Sequence, residues 1–138
     1  MTKTIDMQGM RYLNLFERIT RIRTRFFFNY NNMVVFCVPR MAIKQALGNE
    51  SSNLKKMSQI LKKKIRVVGI PNSIEDAERF IKTIISPVDF KELEIKENEM
   101  IITAGSQNKA ALLGRNKRRL LEMREIIEDF FNKELRIV

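Results

Sequence analysis

Two short loops, Gly48-Asn49-Glu50-Ser51 and Gly114-Arg115-Asn116-Lys117, occupy matching places in the two halves of this chain. Each lies between two segments of helical spacing, and each is followed by basic residues. A repeat of this kind restricts the fold to two small units with one shared order of elements, each of about 65 residues, close to the smallest size that builds a core alone. A glycine, a few short polar residues and the start of a helix let the backbone come close to a phosphate, whose charge the free N–H groups at a helix start favour. Two such loops in a basic chain make nucleic acid the first partner to consider.

The apolar positions Met10, Leu13, Phe16 and Ile19 recur every three residues and predict an amphipathic helix over Met10 to Thr20. Aromatic and β-branched runs, Arg23 to Asn29 and Met33 to Val38, flank Tyr30-Asn31-Asn32 and predict a hairpin. Met41 to Leu47 returns to helical spacing and stops at Gly48. After the first loop, Ser51 or Ser52 is placed to cap a helix with Leu54, Met57, Ile60 and Leu61 on one face. Ile65 to Ile70 then reads as a strand.

The second half repeats that order. Asn72 or Ser73 is placed to cap a helix carrying Ile74, Ala77, Phe80, Ile81, Ile84 and Ile85, which Pro87 ends. Phe90 to Ile95 and Met100 to Ala104 form a second hairpin around Glu97-Asn98. Gln107 to Leu113 is helical up to Gly114. Arg118 to Phe131 is a longer helix, with Leu120, Leu121, Met123, Ile126, Ile127, Phe130 and Phe131 available for packing, and Leu135 to Val138 closes with a strand. The fold class is α+β, with units at 1–71 and 72–138.

The 138 residues carry 26 Lys and Arg against 16 Asp and Glu, a formal charge of +10 that suits a polyanion. There is no histidine, and one cysteine cannot make a zinc site. That cysteine, Cys37, lies in an apolar run and reads as a small buried hydrophobe in a reducing cytoplasm. The carboxylate pairs Asp76 with Glu78 and Glu97 with Glu99 stand in charge-rich stretches with nothing to desolvate them, so both read as solvated surface. No P-loop is present, no run approaches the length of a membrane span, and the N-terminus lacks the features of a signal peptide. The expectation is a cytoplasmic protein that is not an enzyme, with no catalytic residue, metal or cofactor and no membrane partner.

The order of elements and the position of the loops resemble the KH domain in its prokaryotic form, type II, in which a three-stranded sheet is backed by helices and a GxxG loop joins two of them. Two tandem copies in so short a chain resemble the archaeal NusA-like transcription factors. The likeness spans nearly the full length. Met10-Arg11-Tyr12-Leu13-Asn14-Leu15-Phe16-Glu17 with Ile19-Thr20 matches the family's opening helix. Ala46-Leu47-Gly48 with Asn53-Leu54-Lys55-Lys56 matches its first loop region, and Phe80-Ile81 with Ile85-Ser86-Pro87 the beginning of its second module. The family's last loop glycine is Ser51 in the first copy and Lys117 in the second.

The resemblance implies a factor that grips single-stranded RNA of the nascent transcript and modulates transcription elongation or termination. Its RNA-binding residues would be Gly48, Asn49, Ser51, Lys55 and Lys56 in the first copy, and Gly114, Arg115, Asn116, Lys117, Arg118 and Arg119 in the second. In the first loop Glu50 puts a carboxylate where phosphate would lie, which makes the second loop the better candidate. Bases would enter grooves lined by Ala46, Leu47 and Leu54, and by Leu112, Leu113 and Leu120, although these leucines also suit plain core packing. Lys62-Lys63-Lys64 reads first as a solvated helix end. Phe26-Phe27-Phe28 reads as packing rather than as a stacking platform, with at least one of the three exposed by strand alternation. The alternative to RNA binding is a degenerate KH module that docks on RNA polymerase or a ribosomal component.

Overall fold

The computed structural model describes residues 5–138 and is an α+β fold in which those residues form six α-helices and two three-stranded mixed sheets. The chain divides into two compact units between Ile70 and Pro71.

In the first unit the Asp6 carboxylate accepts from the Gly9 N–H at 2.7 Å and starts α1 (Met7–Thr20) three residues earlier than spacing alone predicts. Arg21, left-handed at φ 64°, ends it by donating its N–H to the Glu17 carbonyl. The buried face is Tyr12, Leu15, Phe16 and Thr20. Met10 is instead 55% exposed, because a strict every-third series drifts around a helix of 3.6 residues per turn. Thr20 is buried with its hydroxyl satisfied, donating to the Phe16 carbonyl and accepting from the Ile22 N–H.

Strands β1 (Phe26–Tyr30) and β2 (Met33–Val38) pair antiparallel from Phe26↔Cys37 to Tyr30↔Met33. Asn31 and Asn32 connect them with both φ angles positive, the two-residue turn that matches strand twist. Tyr30 therefore belongs to the strand, not the turn. All six residues of β2 are buried, as its central place demands, and β3 (Lys64–Gly69) runs parallel on its other side.

After Pro39, one tight turn at Arg40–Ala42 shortens the predicted helix to α2 (Ile43–Leu47). Helix α3 (Ser52–Leu61) follows the loop. Phe16 stacks on Phe36 at 4.4 Å between ring centres, in a core that also holds Val34, Val38, Ala46 and Met57. Each fully buried Phe, Val or Met side chain here contributes about 1.5–3 kcal/mol. Ile60, expected on the inner face of α3, is 58% exposed. Of the three phenylalanines, Phe28 is buried and the other two half-buried, so none is exposed. Phe27 meets Tyr12 edge-on at 5.9 Å.

The second unit repeats the plan. A tight turn at Ile74–Asp76 leads into α4 (Ala77–Ile85), which buries Ala77, Phe80, Ile81, Ile84 and Ile85. The start of this segment is held by the Asp76 carboxylate, which accepts from the Asn72 N–H, while the Ser73 side chain makes no cap. Strands β4 (Glu92–Ile95), β5 (Glu99–Thr103) and β6 (Glu134–Ile137) lie in that order, antiparallel then parallel as before. Helix α5 (Ser106–Leu113) precedes the second loop and α6 (Arg118–Phe131) follows it. Leu120, Met123, Ile126 and Ile127 of α6 are buried, whereas Leu121 is exposed.

Candidate nucleic-acid interface

Gly114 stands sixty-six positions after Gly48, and the two loops share one backbone path. Gly48 has φ 75° and ψ 179°, and Gly114 has φ 74° and ψ 175°. This region is essentially restricted to glycine. A single tight turn follows in each loop, closed by the Ser51 N–H donating to the Gly48 carbonyl and by the Lys117 N–H donating to the Gly114 carbonyl. The next pairs are left-handed in both: Glu50 at φ 52° with Ser51 at φ 58°, and Asn116 at φ 56° with Lys117 at φ 59°. Ser51 and Lys117 thus hold a conformation that glycine adopts without cost and other residues adopt at about 1–2 kcal/mol. Because Ser51 is left-handed and its side chain makes no capping hydrogen bond, α3 starts without the serine cap the sequence suggested.

A residue five places after each glycine ties the helix behind the loop to the helix before it. Asn53 donates through Nδ2 to the carbonyls of Gln45 and Ala46, both at 3.2 Å. Arg119, at the corresponding place, donates through Nη1 to the Ala111 carbonyl at 2.9 Å. The same residues crowd the glycines. A methyl group on Gly48 would lie 2.9 Å from the Asn53 amide, and one on Gly114 2.8 Å from Arg119 Cγ.

Asn49 and Glu50 of the first loop are exposed, as are Arg115, Asn116, Lys117 and Arg118 of the second. Gly48, Ser51 and Gly114 are half-buried, as is Arg119, whose guanidinium is in use. Lys55 and Lys56 are exposed on α3. Ala46, Leu112 and Leu120 are buried in the cores, while Leu47, Leu54 and Leu113 are half-buried.

A shallow depression lies in the same place in each unit, between the helix that follows the loop and the outer strand of the sheet. The first, about 350 Å³, is lined by Leu54, Lys55, Ser58, Gln59, Lys64 and Ile65, with two cations and no acid. The second, about 370 Å³, is lined by Arg124, Glu128, Lys133, Glu134 and Leu135, so that its cations are balanced. Cations therefore favour the groove in the first unit and the loop in the second.

Charge is also divided between the units in a way that the two loops alone do not suggest. Fourteen Lys and Arg stand against three Asp and Glu up to Ile70, and twelve against thirteen from Pro71 on, leaving +11 and −1. A count of charges in each half finds this from the sequence.

Of the two carboxylate pairs, Glu78 and Glu97 are exposed as expected, whereas Asp76 and Glu99 are half-buried and have partners within their own unit. Asp76 accepts from the Asn72 N–H at 2.8 Å and pairs with Arg79 at 3.4 Å, and Glu99 pairs with Arg136 at 3.6 Å. Among the described residues no three His, Cys, Asp or Glu side chains are grouped to hold a metal ion, and no helix is long and apolar enough to cross a membrane. Cys37 is fully buried, and burial pushes its thiol pKa up.

No family model and no curated protein matches the sequence. In three dimensions the chain is similar to a crystal structure of a protein called APE1850, with a TM-score of 0.69 and 22% identity over 96% of this chain and 99% of that one. At that identity the likeness concerns the fold alone.

Proposed function

We propose that this chain is a cytoplasmic, non-enzymatic RNA-binding factor built of two type II KH domains. It is of the archaeal NusA-like kind, acting on single-stranded nascent RNA to modulate elongation or termination of transcription. The observation that carries this reading is the shared loop geometry. Two copies of a glycine-led loop keep the same left-handed path although Ser51 and Lys117 stand where glycine would adopt it freely. A loop path held twice against strain is what a fold that grips a strand's backbone through that loop would keep, and this supports the KH reading. The exposed cations Arg115, Lys117 and Arg118 supply charge for phosphate in the second copy.

A second reading rests on Glu50, Ser51 and Lys117, whose side chains occupy loop positions where a bare backbone would approach phosphate. In this reading the modules dock on RNA polymerase or a ribosomal component and bind RNA weakly.

Equilibrium binding to a short single-stranded RNA and to a DNA of equal length, at low and near-physiological salt, separates the two. Preferential RNA binding that survives the higher salt supports the first reading. Binding without preference that vanishes with salt overturns it.

A further inference from the structure

The second unit has the more basic loop, yet the first unit holds the net positive charge of the chain. Much of it gathers at one end of that unit. Arg21 caps the C-terminus of α1, with Arg18 one turn before it. Thr24 donates through Oγ1 to the Cys37 carbonyl at 2.6 Å and Phe26 pairs with Cys37, so the register sets Arg25 beside the end of β2, where Pro39 and Arg40 follow. Gln45 donates through Nε2 to the Thr20 carbonyl at 3.3 Å, which brings α2, carrying Lys44, against the same end of α1.

Arg18, Arg21, Arg25, Arg40 and Lys44 are all exposed, and no ion pair joins any of them to a carboxylate among the described residues. Of the first unit's three acids, Glu17, beside Arg18 and Arg21 in sequence, is taken by Arg23 at 3.1 Å. Like charges gathered this way repel one another in the free protein, and an anion relieves that repulsion.

We propose that these five residues form a phosphate-binding surface in the first unit, beside but separate from its glycine loop, and that its ligand is the sugar–phosphate backbone of RNA. The proposal rests on the RNA-binding reading above and adds a site to it. Four of the five cations are arginines, whose planar forks match phosphate oxygens two at a time. Met41, next to Arg40 and 94% exposed, offers an apolar contact that an unstacked base covers. The surface also explains how the first unit holds RNA despite Glu50, since the charge that attracts the strand lies outside the loop.

The test uses the full chain and a labelled single-stranded RNA, titrated over a series of salt concentrations. Three variants are compared with the wild type: R18Q/R21Q/R25Q/R40Q, the same four positions as lysine, and R115Q/K117Q/R118Q. Circular dichroism and a thermal melt establish that each is folded, and the Glu17–Arg23 pair is left intact. The glutamine variant is expected to flatten the logarithmic salt dependence by about 0.7 for each phosphate that is no longer neutralised, about two to three in all. The lysine variant is expected to keep most of the slope.

A glutamine variant with wild-type affinity and slope overturns the site. If the loop variant loses binding in that same experiment, the functional reading stands without it. A wild-type chain that binds no RNA overturns both.

Discussion

Arg119 reaches back from the first turn of α6 and donates through Nη1 to the Ala111 carbonyl at 2.9 Å in the last turn of α5. Its cation therefore stands at a helix C-terminus, where the dipole favours positive charge, and it holds the two arms of the second loop together. Arg119→Ala is expected to cost about 1 kcal/mol, below the roughly 1.5–3 kcal/mol of a hydrogen bond to a charged group, because Arg119 is only half-buried and solvent screens its guanidinium. Arg115→Ala and Arg118→Ala, at exposed positions, are expected to stay within about 0.5 kcal/mol of wild type. Urea denaturation of the three variants checks this, and equal losses at all three sites would contradict a tie specific to Arg119.

Gly48 and Gly114 combine an angle pair restricted to glycine with close neighbours. Gly48→Ala and Gly114→Ala are each expected to destabilise the chain by about 1–3 kcal/mol through the backbone alone, before the crowding against Asn53 and Arg119 is added. Ser51→Gly and Lys117→Gly relieve left-handed strain but loosen the unfolded chain, so the two effects nearly cancel and stability moves by less than about 1 kcal/mol. Paired chemical melts of the four variants should show this asymmetry between the first and last loop positions.

These loops were legible in the sequence because their glycines punctuate helical patterns, and the Asn31-Asn32 turn because asparagine tolerates positive φ. Helix α6 was legible from end to end. The inner faces of α1 and α3 were less so, since Met10 and Ile60 fit an apolar series that the helix rotates toward solvent. The arginine surface was invisible for another reason. Arg25 and Arg40 become neighbours only through the pairing of β1 with β2, and Lys44 joins them only through the Gln45 contact with Thr20. The tie from Arg119 to Ala111 was hidden by its chemistry, because an arginine in a basic run looks like a free cation until its hydrogen bond is seen.

Cys37 gives the chain a pH signature. Its thiol is raised above the ordinary value of 9.0 by burial, so the folded state holds the proton more tightly than the unfolded one. That contribution is fully present below about pH 9 and is lost as pH rises above it, by at most about 1.4 kcal/mol per pH unit. Urea midpoints for wild type and Cys37→Ala between pH 8 and 10 check the sign. The wild type should lose stability more steeply than the variant, and parallel curves would mean that the thiol contributes nothing to the pH dependence.

Glu50 and Asn116 hold the same place in the two loops with nearly the same left-handed angles, yet one carries a carboxylate and the other is neutral. Asparagine tolerates this region better than glutamate. Glu50→Asn is therefore expected to gain a few tenths of a kcal/mol in stability by reducing left-handed strain. It also removes repulsion worth about 1 kcal/mol toward a phosphate 4 Å away in water, so RNA affinity should rise about three- to fivefold at low salt. Screening shortens the reach of that charge, and the gain should shrink as salt approaches 0.15 M, where the Debye length is about 8 Å. Binding isotherms at two salt concentrations test both parts. A gain that fades with salt places the first loop against the strand, whereas an unchanged affinity at both would mean that RNA bypasses this loop and that the first unit relies on its arginines alone.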